Sequence, residues 1–419
     1  MREDGIEQAD RAPATSSLGG KRATSRRFRR VPPAVTPLTP SDIAAGVVGQ
    51  LRGAGRDEFR TEVETLLDAE STATYTSYRR ALGACLDALG EQYDGDTVVL
   101  PAFCSSDFDK TVDGLGLSVR RYDVDAATFA ADLDSLGAAM GPDVRAVVAV
   151  NVLGYTSEMD ELAEVCDRGD VALVEALGYA LGASYGGEKL GTFGDCAVCN
   201  FQQGKPIPVG GGMIVSQDPS LQFGDAGRPV VGPTLGTLSG YAAFGRPRLY
   251  DLYRRAATAV SAYRDGGSRV TTHPESKAEF DVTPPLPTMS DFQGAVASRV
   301  FARQERDRRE RARTAAYYAD AFRNCEKLDL VEPLDGLSNH QYVRFPLVAS
   351  SEALRDHICE RLADAGIGSS TLYEWPPIDG DQFPEAAWLK RRTLTLPTHP
   401  YVDDRDRRMA VETVVESLP

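Results

Sequence analysis

The sequence predicts an α/β protein with a large domain, built on a mostly parallel sheet flanked by helices, and a smaller C-terminal α/β domain. Short apolar, β-branched runs alternate with helical stretches through the first half of the chain. This alternation is typical of a parallel sheet that is covered by helices on both faces. The chain has 419 residues, more than one ordinary core requires, and its hydrophobic content of 42% is that of a globular protein.

Each element of the large domain is predicted from its local pattern. The run TVVLP (97–101) is β-branched and ends at a proline, which indicates a buried strand. Further strands of the same character are predicted at 117–124, 145–153, 171–176, 196–201 and 211–216. The helices predicted between them span 79–89, 130–140 and 157–168. Ser41 is placed to cap an earlier helix.

The chain is divided into three parts. Residues 1–36 are polar with a basic run and predict a disordered tail. Residues 37–264 are expected to form the large domain. Residues 265–419 are expected to form the small domain, including a long connecting helix that Ser290 caps and that continues towards Asn324.

Composition and charge exclude several classes of function. The chain has 46 Lys and Arg against 61 Asp and Glu, a net charge of −15, which disfavours nucleic-acid binding and resembles proteins of salt-rich cytoplasms. No run is apolar for the roughly 20 residues that a membrane span requires, so a membrane partner is not expected. Seven scattered cysteines indicate a reduced, cytoplasmic protein. Cys196 and Cys199 form a lone CxxC in an apolar run and are interpreted as buried strand residues, so no metal site is expected.

Lys205 is the first candidate for chemistry. Only seven of the 46 basic residues are lysines, and this one lies in the loop GKPIPVGGG between two predicted strands. A lysine among apolar strands has a lowered pKa, which suits Schiff-base chemistry, and loops often carry function. Gly210, Gly211 and Gly212 would let the backbone approach a ligand closely. On composition alone, a solvated lysine in a surface loop remains the alternative.

Several separated motifs resemble the DegT/DnrJ/EryC1/StrS family of sugar aminotransferases, which are pyridoxal-phosphate (PLP) enzymes of aspartate-aminotransferase fold type I. The densest match is ALGASYGGEKLGTFGD (180–195), followed by Phe201, Lys205 and the glycine run. Further matches follow the order of the family: GDTVVLPAF (95–103), YDVD (122–125), LGYTSEMDEL (153–162), SDFQGAV (290–296) and LPTHPYV (396–402). The resemblance extends over roughly residues 32–419 and implies a fold type I enzyme with PLP as its cofactor.

The resemblance also implies roles for individual residues. Lys205 would bind PLP covalently and then carry protons between substrate and cofactor. The phosphate loop of the family, at the start of a helix, is matched by Ser77, Tyr78 and Arg79. Asn200 matches a serine that helps to hold the phosphate, and Tyr179 matches the residue near the ring oxygen of the cofactor.

Four positions depart from the family, and all of them concern the cofactor. Ala176 stands where the family has the aspartate that pairs with the ring nitrogen, and Ser105 where an aromatic ring stacks on the cofactor. Tyr78 replaces a glycine of the phosphate loop, and Leu286 replaces an asparagine that reaches the cofactor of the partner subunit. Glu175 does not substitute for the missing aspartate, because adjacent strand residues point to opposite faces.

The function implied by the resemblance is transfer of an amino group from an amino-acid donor to a nucleotide-linked keto-sugar, by a homodimer, in sugar or surface-glycan biosynthesis. The four departures leave an alternative open, namely a non-catalytic binding protein or a member with racemase-like or dehydratase-like chemistry. Two further residues are weighed. His399 is a candidate base for which a structural role is favoured, and Trp375 either lines the substrate mouth or packs a loop.

Overall fold

The large domain is ordered along the chain as the alternating pattern predicts. A computed structural model describes residues 29–223, 226–229, 231–253, 255 and 286–419. The helices of the first half are α1 (Pro40–Arg52), α2 (Gly55–Leu67), α3 (Tyr78–Leu89), α4 (Ser106–Gly114), α5 (Leu133–Ala139) and α6 (Met159–Gly169). The strands are β1 (Ser71–Tyr75), β2 (Thr97–Pro101), β3 (Ser118–Tyr122), β4 (Val144–Val150), β5 (Ala172–Ala176), β6 (Ser184–Tyr185), β7 (Glu188–Lys189), β8 (Cys196–Asn200) and β9 (Gly212–Ser216).

A seven-stranded sheet in the order β1-β9-β8-β5-β4-β2-β3 is the centre of this domain. Strands β8, β5, β4, β2 and β3 pair in parallel, whereas β9 runs antiparallel to both of its neighbours, β8 and β1. Every residue of β2 and β5 is buried, because helices cover both faces of the sheet. The predicted α/β class with a mostly parallel sheet is confirmed.

The two buried cysteines of the CxxC pair illustrate this two-sided burial. Cys196 belongs to the apolar cluster on the face of α3, and Cys199 belongs to the cluster on the opposite face. An odd spacing along a strand sends side chains to opposite faces, so these two thiols cannot join in a disulfide or share a ligand. Both are free and fully buried, as the interpretation of strand cysteines predicts.

The second half of the chain adds two helices, α7 (Gly232–Phe244) and α8 (Asp291–Phe301), to the large domain and forms a smaller α/β unit. The other helices of this half are α9 (Gln304–Phe322), α10 (Glu352–Ala365), α11 (Pro384–Arg392) and α12 (Asp404–Glu416). Its strands are β10 (Ala226–Gly227), β11 (Leu286–Pro287), β12 (Leu328–Leu330), β13 (Arg344–Ala349) and β14 (Thr393–Pro397). Strands β12, β13 and β14 form an antiparallel sheet, whose core is closed by side chains of α9, α10 and α12.

The predicted connecting helix is divided into two. Ser290 and Gln293 form the predicted capping box, but the first helix, α8, ends at Phe301 and α9 begins at Gln304. Between the two helices, Arg303 donates two hydrogen bonds of 2.9 Å to the buried carboxylate of Asp42. Helix α8 packs on α1 and α2 rather than on the small sheet.

The N-terminal boundaries also differ from the expectation. Val31 is buried and pairs with Ile367, so the part of the predicted tail from residue 29 onward packs on the small unit. Thr39, rather than Ser41, caps α1, because Pro40 occupies the first helical position and Asp42 completes the capping box. Residues 1–28 and the predicted boundary between residues 264 and 265 lie outside the described residues. Among the helices that the structure describes, none has the length and apolar character to cross a membrane.

Candidate active site

The predicted site residues meet at one edge of the large sheet. The parallel strands β1, β2, β5 and β8 all end at this edge, and each is followed or closed by a predicted residue. These residues are Ser77 after β1, Ser105 after β2, Ala176 at the end of β5 and Asn200 at the end of β8. Ligands of open α/β sheets bind at the carboxyl ends of the strands, so the fold itself nominates this edge.

Lys205 lies at this edge, in the loop between β8 and β9. Its Nζ is 3.3 Å from the centroid of the Tyr179 ring, and a Cβ added to Gly178 would lie 3.4 Å from it. The lysine carbonyl accepts a hydrogen bond of 2.8 Å from the hydroxyl of Thr36, which fixes the loop. Burial of the amine lowers the pKa of Lys205 below 10.5, and the nearby charge of Arg344 acts in the same direction.

Tyr179 contacts the amine of Lys205. Burial alone would raise the pKa of this phenol, but the positive charges of Lys205 and Arg344 and a hydrogen bond with Tyr373 lower it to about 8. The lysine nitrogen above the ring face also has the geometry of a cation–π contact. Tyr179 therefore acts as the group that receives and holds the lysine amine.

The three predicted phosphate-loop residues lie at the start of α3, two of them partly exposed and one buried. Ser77 is the N-cap, its hydroxyl accepting a hydrogen bond from the Arg80 amide, and Arg79 lies 3.6 Å from Asp107. Both residues are partly exposed where the N-terminus of the helix suits an anion. Tyr78, by contrast, is only 4% exposed, and its ring packs edge-on against Phe108 inside the apolar cluster.

The end of the site that carries Ala176 is apolar. Ala176, Tyr78, Cys104 and Leu286 all belong to the same buried cluster on the α3 face of the sheet. Leu286 is 5% exposed and is packed within its own chain. Three of the substitutions noted in the sequence, at Ala176, Tyr78 and Leu286, thus fall within one buried apolar cluster.

Glu175 faces the other side of the sheet, as strand alternation predicts. Its carboxylate accepts hydrogen bonds from the amides of Gly191, Phe193 and Gly194, at 2.8, 2.8 and 3.2 Å. Burial raises the pKa of Glu175 to about 7, although these three donors oppose the increase. The carboxylate of Asp195 accepts a hydrogen bond of 2.7 Å from the amide of Leu173. The two carboxylates thus hold the turn formed by residues 191–195 against β5.

Ser105 serves as the N-cap of α4, its hydroxyl accepting a hydrogen bond from the Asp107 amide. Nearby, the rings of Phe103 and Trp375 stack with their centroids 4.6 Å apart. Phe103 is fully buried. The structure therefore places Trp375 in a packed aromatic pair beside the end of β2, and Ser105 in a structural hydrogen bond.

The glycine run and Asn200 make contacts within the protein. A Cβ on Gly211, whose φ is +99°, would lie 2.8 Å from the carbonyl oxygen of Tyr75. A Cβ on Gly212 would lie 2.9 Å from the Cα of Tyr78. The expectation that these glycines let the backbone approach a ligand is therefore corrected for Gly211 and Gly212, which let the backbone approach β1 and α3. The side chain of Asn200 accepts a hydrogen bond of 2.9 Å from the Gln202 amide and turns the chain into the lysine loop.

His399 takes the structural role favoured from the sequence. It is buried, and its Nε2 lies 2.9 Å from the carbonyl oxygen of Pro32, which ties the small unit to the N-terminal segment. Burial lowers the pKa of His399 to about 4. Within the described ranges, no group of three His, Cys, Asp or Glu side chains is arranged to hold a metal ion.

Sequence reasoning missed two residues of the site. Arg344, at the start of β13, and Tyr373, in the loop before α11, both influence the pKa of Tyr179. They come from the small unit, far along the chain from Lys205, and only the fold brings them to the site. The signal in the sequence that could have indicated Arg344 is its position as the one charged residue in the apolar run YVRFPLV (342–348).

Three groups of PLP need partners: its aldehyde, its phosphate and its ring nitrogen. The residues present fit the first two of these. Lys205 offers a desolvated amine to the aldehyde, and glycine at position 178 keeps a side chain away from this amine, since a Cβ there would lie 3.2 Å from the Cβ of Asn200 and 3.4 Å from Nζ. The N-terminus of α3 with Ser77 suits the phosphate. The end at Ala176 offers no carboxylate to a ring nitrogen.

Comparison with known proteins supports the same reading of the fold. The sequence model of the DegT/DnrJ/EryC1/StrS aminotransferase family matches residues 43–223 and 263–418. The chain is 27% identical to the dTDP-4-dehydro-2,3,6-trideoxy-D-glucose 4-aminotransferase of Saccharopolyspora spinosa, over 76% of this chain and 77% of that protein. It is 29% identical to the GDP-perosamine synthase of Vibrio cholerae, but this match spans only 39% of the chain and 45% of that protein's length. The PLP form of the putative sugar aminotransferase Spr1654 of Streptococcus pneumoniae superposes with a TM-score of 0.72 at 18% identity, over 93% of this chain and all of that one.

Proposed function

Because this chain belongs to the DegT/DnrJ/EryC1/StrS aminotransferase family, we propose that it is a PLP-dependent enzyme that transfers an amino group from an amino-acid donor to a nucleotide-linked keto-sugar. The observation that carries the proposal is the desolvated amine of Lys205, held against Tyr179 at the carboxyl edge of the sheet. The reaction would serve sugar or surface-glycan biosynthesis.

The residues of this chain would divide the work as follows. Lys205 and the N-terminus of α3 with Ser77 would hold PLP, which supplies the electron sink that amino-group transfer requires. Because burial lowers the pKa of Lys205, its Nζ spends more time uncharged and can accept and return a proton. The ring of Tyr179, whose centroid is 3.3 Å from Nζ, would hold this nitrogen in position. The Phe103–Trp375 pair gives the site an apolar wall beside β2.

A spectrum and a transfer assay test the proposal together. Protein incubated with PLP should show the visible absorbance of lysine-bound cofactor, and should transfer an amino group from glutamate to a nucleotide-linked 4-keto-sugar. Lys205→Ala should lose both properties. Lys110→Ala, at an exposed lysine paired with Glu374, is the matched control and should keep both. Absence of the absorbance and of transfer in the unaltered protein, at any salt concentration, would refute the proposal.

The apolar end of the site favours a second candidate, in which the chain binds the same ligands but catalyses a different proton transfer or none. A ring nitrogen without a carboxylate partner is less readily protonated, which weakens the electron sink. The observation behind this candidate is the burial of Ala176 in the same apolar cluster as Tyr78 and Leu286. Brisk transamination by the unaltered protein would exclude it. Product analysis distinguishes racemisation and dehydration from transfer.

The proposal includes a homodimer in the cytoplasm. Helix α1 exposes Val47, Val48 and Leu51, the last at 83%, and the adjacent α7 exposes Leu235 and Phe244. An exposed apolar surface of this kind is typical of an interface between subunits. All seven cysteines are unpaired, which agrees with a reducing compartment.

A further inference from the structure

A short helical segment after α7 carries an exposed surface that the proposed function does not use. Residues 247–253 are helical, and Asp251 is buried on their inner side. The exposed side chains are Arg246, Arg248, Leu249, Leu252, Tyr253 and Arg255, which together form the 246–255 patch. Leu252 is 60% exposed and Tyr253 is 50% exposed. The sequence model of the family matches residues up to 223 and from 263 onward, so the patch lies in a part of the chain that this model does not match.

The charge of this region is opposite to that of the protein as a whole. Residues 226–255 contain five arginines and one aspartate, a net charge of +4, in a chain whose net charge is −15. Arg246 and Arg248 are both exposed. A local concentration of positive charge on an acidic protein favours an anionic partner at that place, because the remaining surface repels anions.

The N-terminal basic run ends at the same patch. Residues 21–30 contain six basic residues and no acidic one. At the end of this run, the amide of Arg30 donates to the carbonyl oxygen of Pro247 at 3.2 Å, and its Nε lies 3.3 Å from the carboxylate of Asp251. Arg255 lies 2.9 Å from the other oxygen of this carboxylate. The half-exposed side chain of Arg30 therefore adds a further cation to the edge of the patch.

We propose that the 246–255 patch docks on an anionic lipid surface. Leucine and tyrosine side chains that are interleaved with arginines on a short helix suit such a surface, because the apolar groups enter the boundary of the acyl chains while the guanidinium groups stay with the phosphates. Docking of this kind requires no spanning segment, so it is compatible with a sequence that lacks a long apolar run. The inference goes beyond the proposed function and does not depend on it.

A second copy of the chain is the other occupant of such a surface. The patch adjoins the apolar face proposed for the homodimer, since the rings of Phe244 and Tyr253 have their centroids 5.6 Å apart. In a two-fold symmetric contact, however, the same patch faces itself, so arginines would face arginines. Like charges brought together across an interface cost free energy, whereas anionic lipids neutralise them. The charge of the patch therefore favours lipid.

Co-sedimentation of the full-length protein with vesicles tests this docking. The protein should sediment with vesicles of phosphatidylcholine and phosphatidylglycerol, less with phosphatidylcholine alone, and progressively less as the salt concentration is raised. Arg246→Gln combined with Arg248→Gln should weaken binding to the anionic vesicles by about fivefold for each arginine. Leu249→Ser combined with Leu252→Ser should weaken it by about tenfold, because the apolar contact is lost.

A matched control removes the same charge elsewhere. Arg306→Gln combined with Arg309→Gln, at side chains of α9 that are 73% and 70% exposed, should bind vesicles like the unaltered protein. Absence of binding to anionic vesicles, or equal binding by the patch and control variants, overturns the inference. So does a shift of the patch variants from dimer to monomer in sedimentation velocity with vesicle binding unchanged, since the patch would then contact a second copy. None of these variants alters a residue of the candidate site, so a lack of PLP absorbance in the unaltered protein would refute the proposed function and leave this inference standing.

Discussion

Tyr179 is predicted to ionise well below the pH at which an ordinary tyrosine ionises, and this prediction tests the geometry around Lys205 directly. Burial raises the pKa of a phenol, but here two cations oppose it: Lys205, with Nζ 3.3 Å from the ring centroid, and Arg344. The pKa of Tyr179 falls from 10.0 to about 8. This difference corresponds to about 3 kcal/mol of stabilisation of the phenolate.

Removing either cation should reverse the effect. Lys205→Ala and Arg344→Gln are each expected to raise the pKa of Tyr179 above about 8. With both cations removed, burial is left unopposed, and the pKa should exceed the ordinary value of 10.0. The hydrogen bond between Tyr179 and Tyr373 shifts the pKa values of the two phenols in opposite directions, lowering that of Tyr179 and raising that of Tyr373.

The assay is a spectrophotometric titration of the tyrosinate absorbance in protein without added cofactor. The chain has 16 tyrosines, so the Tyr179→Phe variant is subtracted to isolate one of them. The difference curve should have its midpoint near pH 8 in the unaltered background. A midpoint at or above pH 10, or a midpoint near 8 that Lys205→Ala does not move, would show that the lysine is not where the structure places it.

Three further predictions follow from the packing. Glu175→Gln leaves one backbone amide of the turn unpaired and should lower the free energy of unfolding in urea by about 1–3 kcal/mol. Because the pKa of Glu175 in the folded protein, about 7, exceeds the ordinary value of 4.5, its contribution to stability is fully present below about pH 4.5 and is lost as pH rises through 7. This pH dependence should be absent from the variant. Val48→Glu, at a valine that is 53% exposed, should dissociate the homodimer in sedimentation, whereas Val415→Glu, at a valine that is 44% exposed on α12, should not. Gly211→Ala should lower the melting temperature markedly, since its Cβ would overlap the Tyr75 carbonyl.

The sequence predicted the centre of the fold because local pattern and tertiary burial agree there. The run 97–101 is apolar throughout and is a strand at the same bounds, and 171–176 differs from β5 by one residue. It could not predict the break after Phe301, because the charged run that follows has uninterrupted helical character. At the break Arg303 contacts Asp42, a residue far along the chain that no local pattern contains.

In the candidate site, too, the residues that a local pattern marks could be predicted, and those that only the fold brings there could not. Lys205 was found because its loop lies between two recognisable strands and its motif resembles a family. Arg344 and Tyr373 were missed because they reach the site from the small unit, and their sequence surroundings resemble any buried strand and loop. The glycine run was recognised but assigned the wrong neighbour, since close approach to β1 and close approach to a ligand demand the same residue type.

Ala176, Tyr78 and Leu286, three of the four departures, have a joint physical consequence that a single reversal does not undo. An aspartate introduced by Ala176→Asp would enter the cluster that holds Tyr78 and Leu286, where burial raises the pKa of a carboxyl and favours its neutral form. A neutral carboxyl cannot pair with a protonated ring nitrogen. Ala176→Asp alone is therefore expected to change transamination little, whereas Ala176→Asp combined with Tyr78→Gly opens space for water beside the carboxyl. A rise in transfer rate confined to the double variant would show that the apolar surface, rather than the missing carboxylate alone, sets the chemistry of this site.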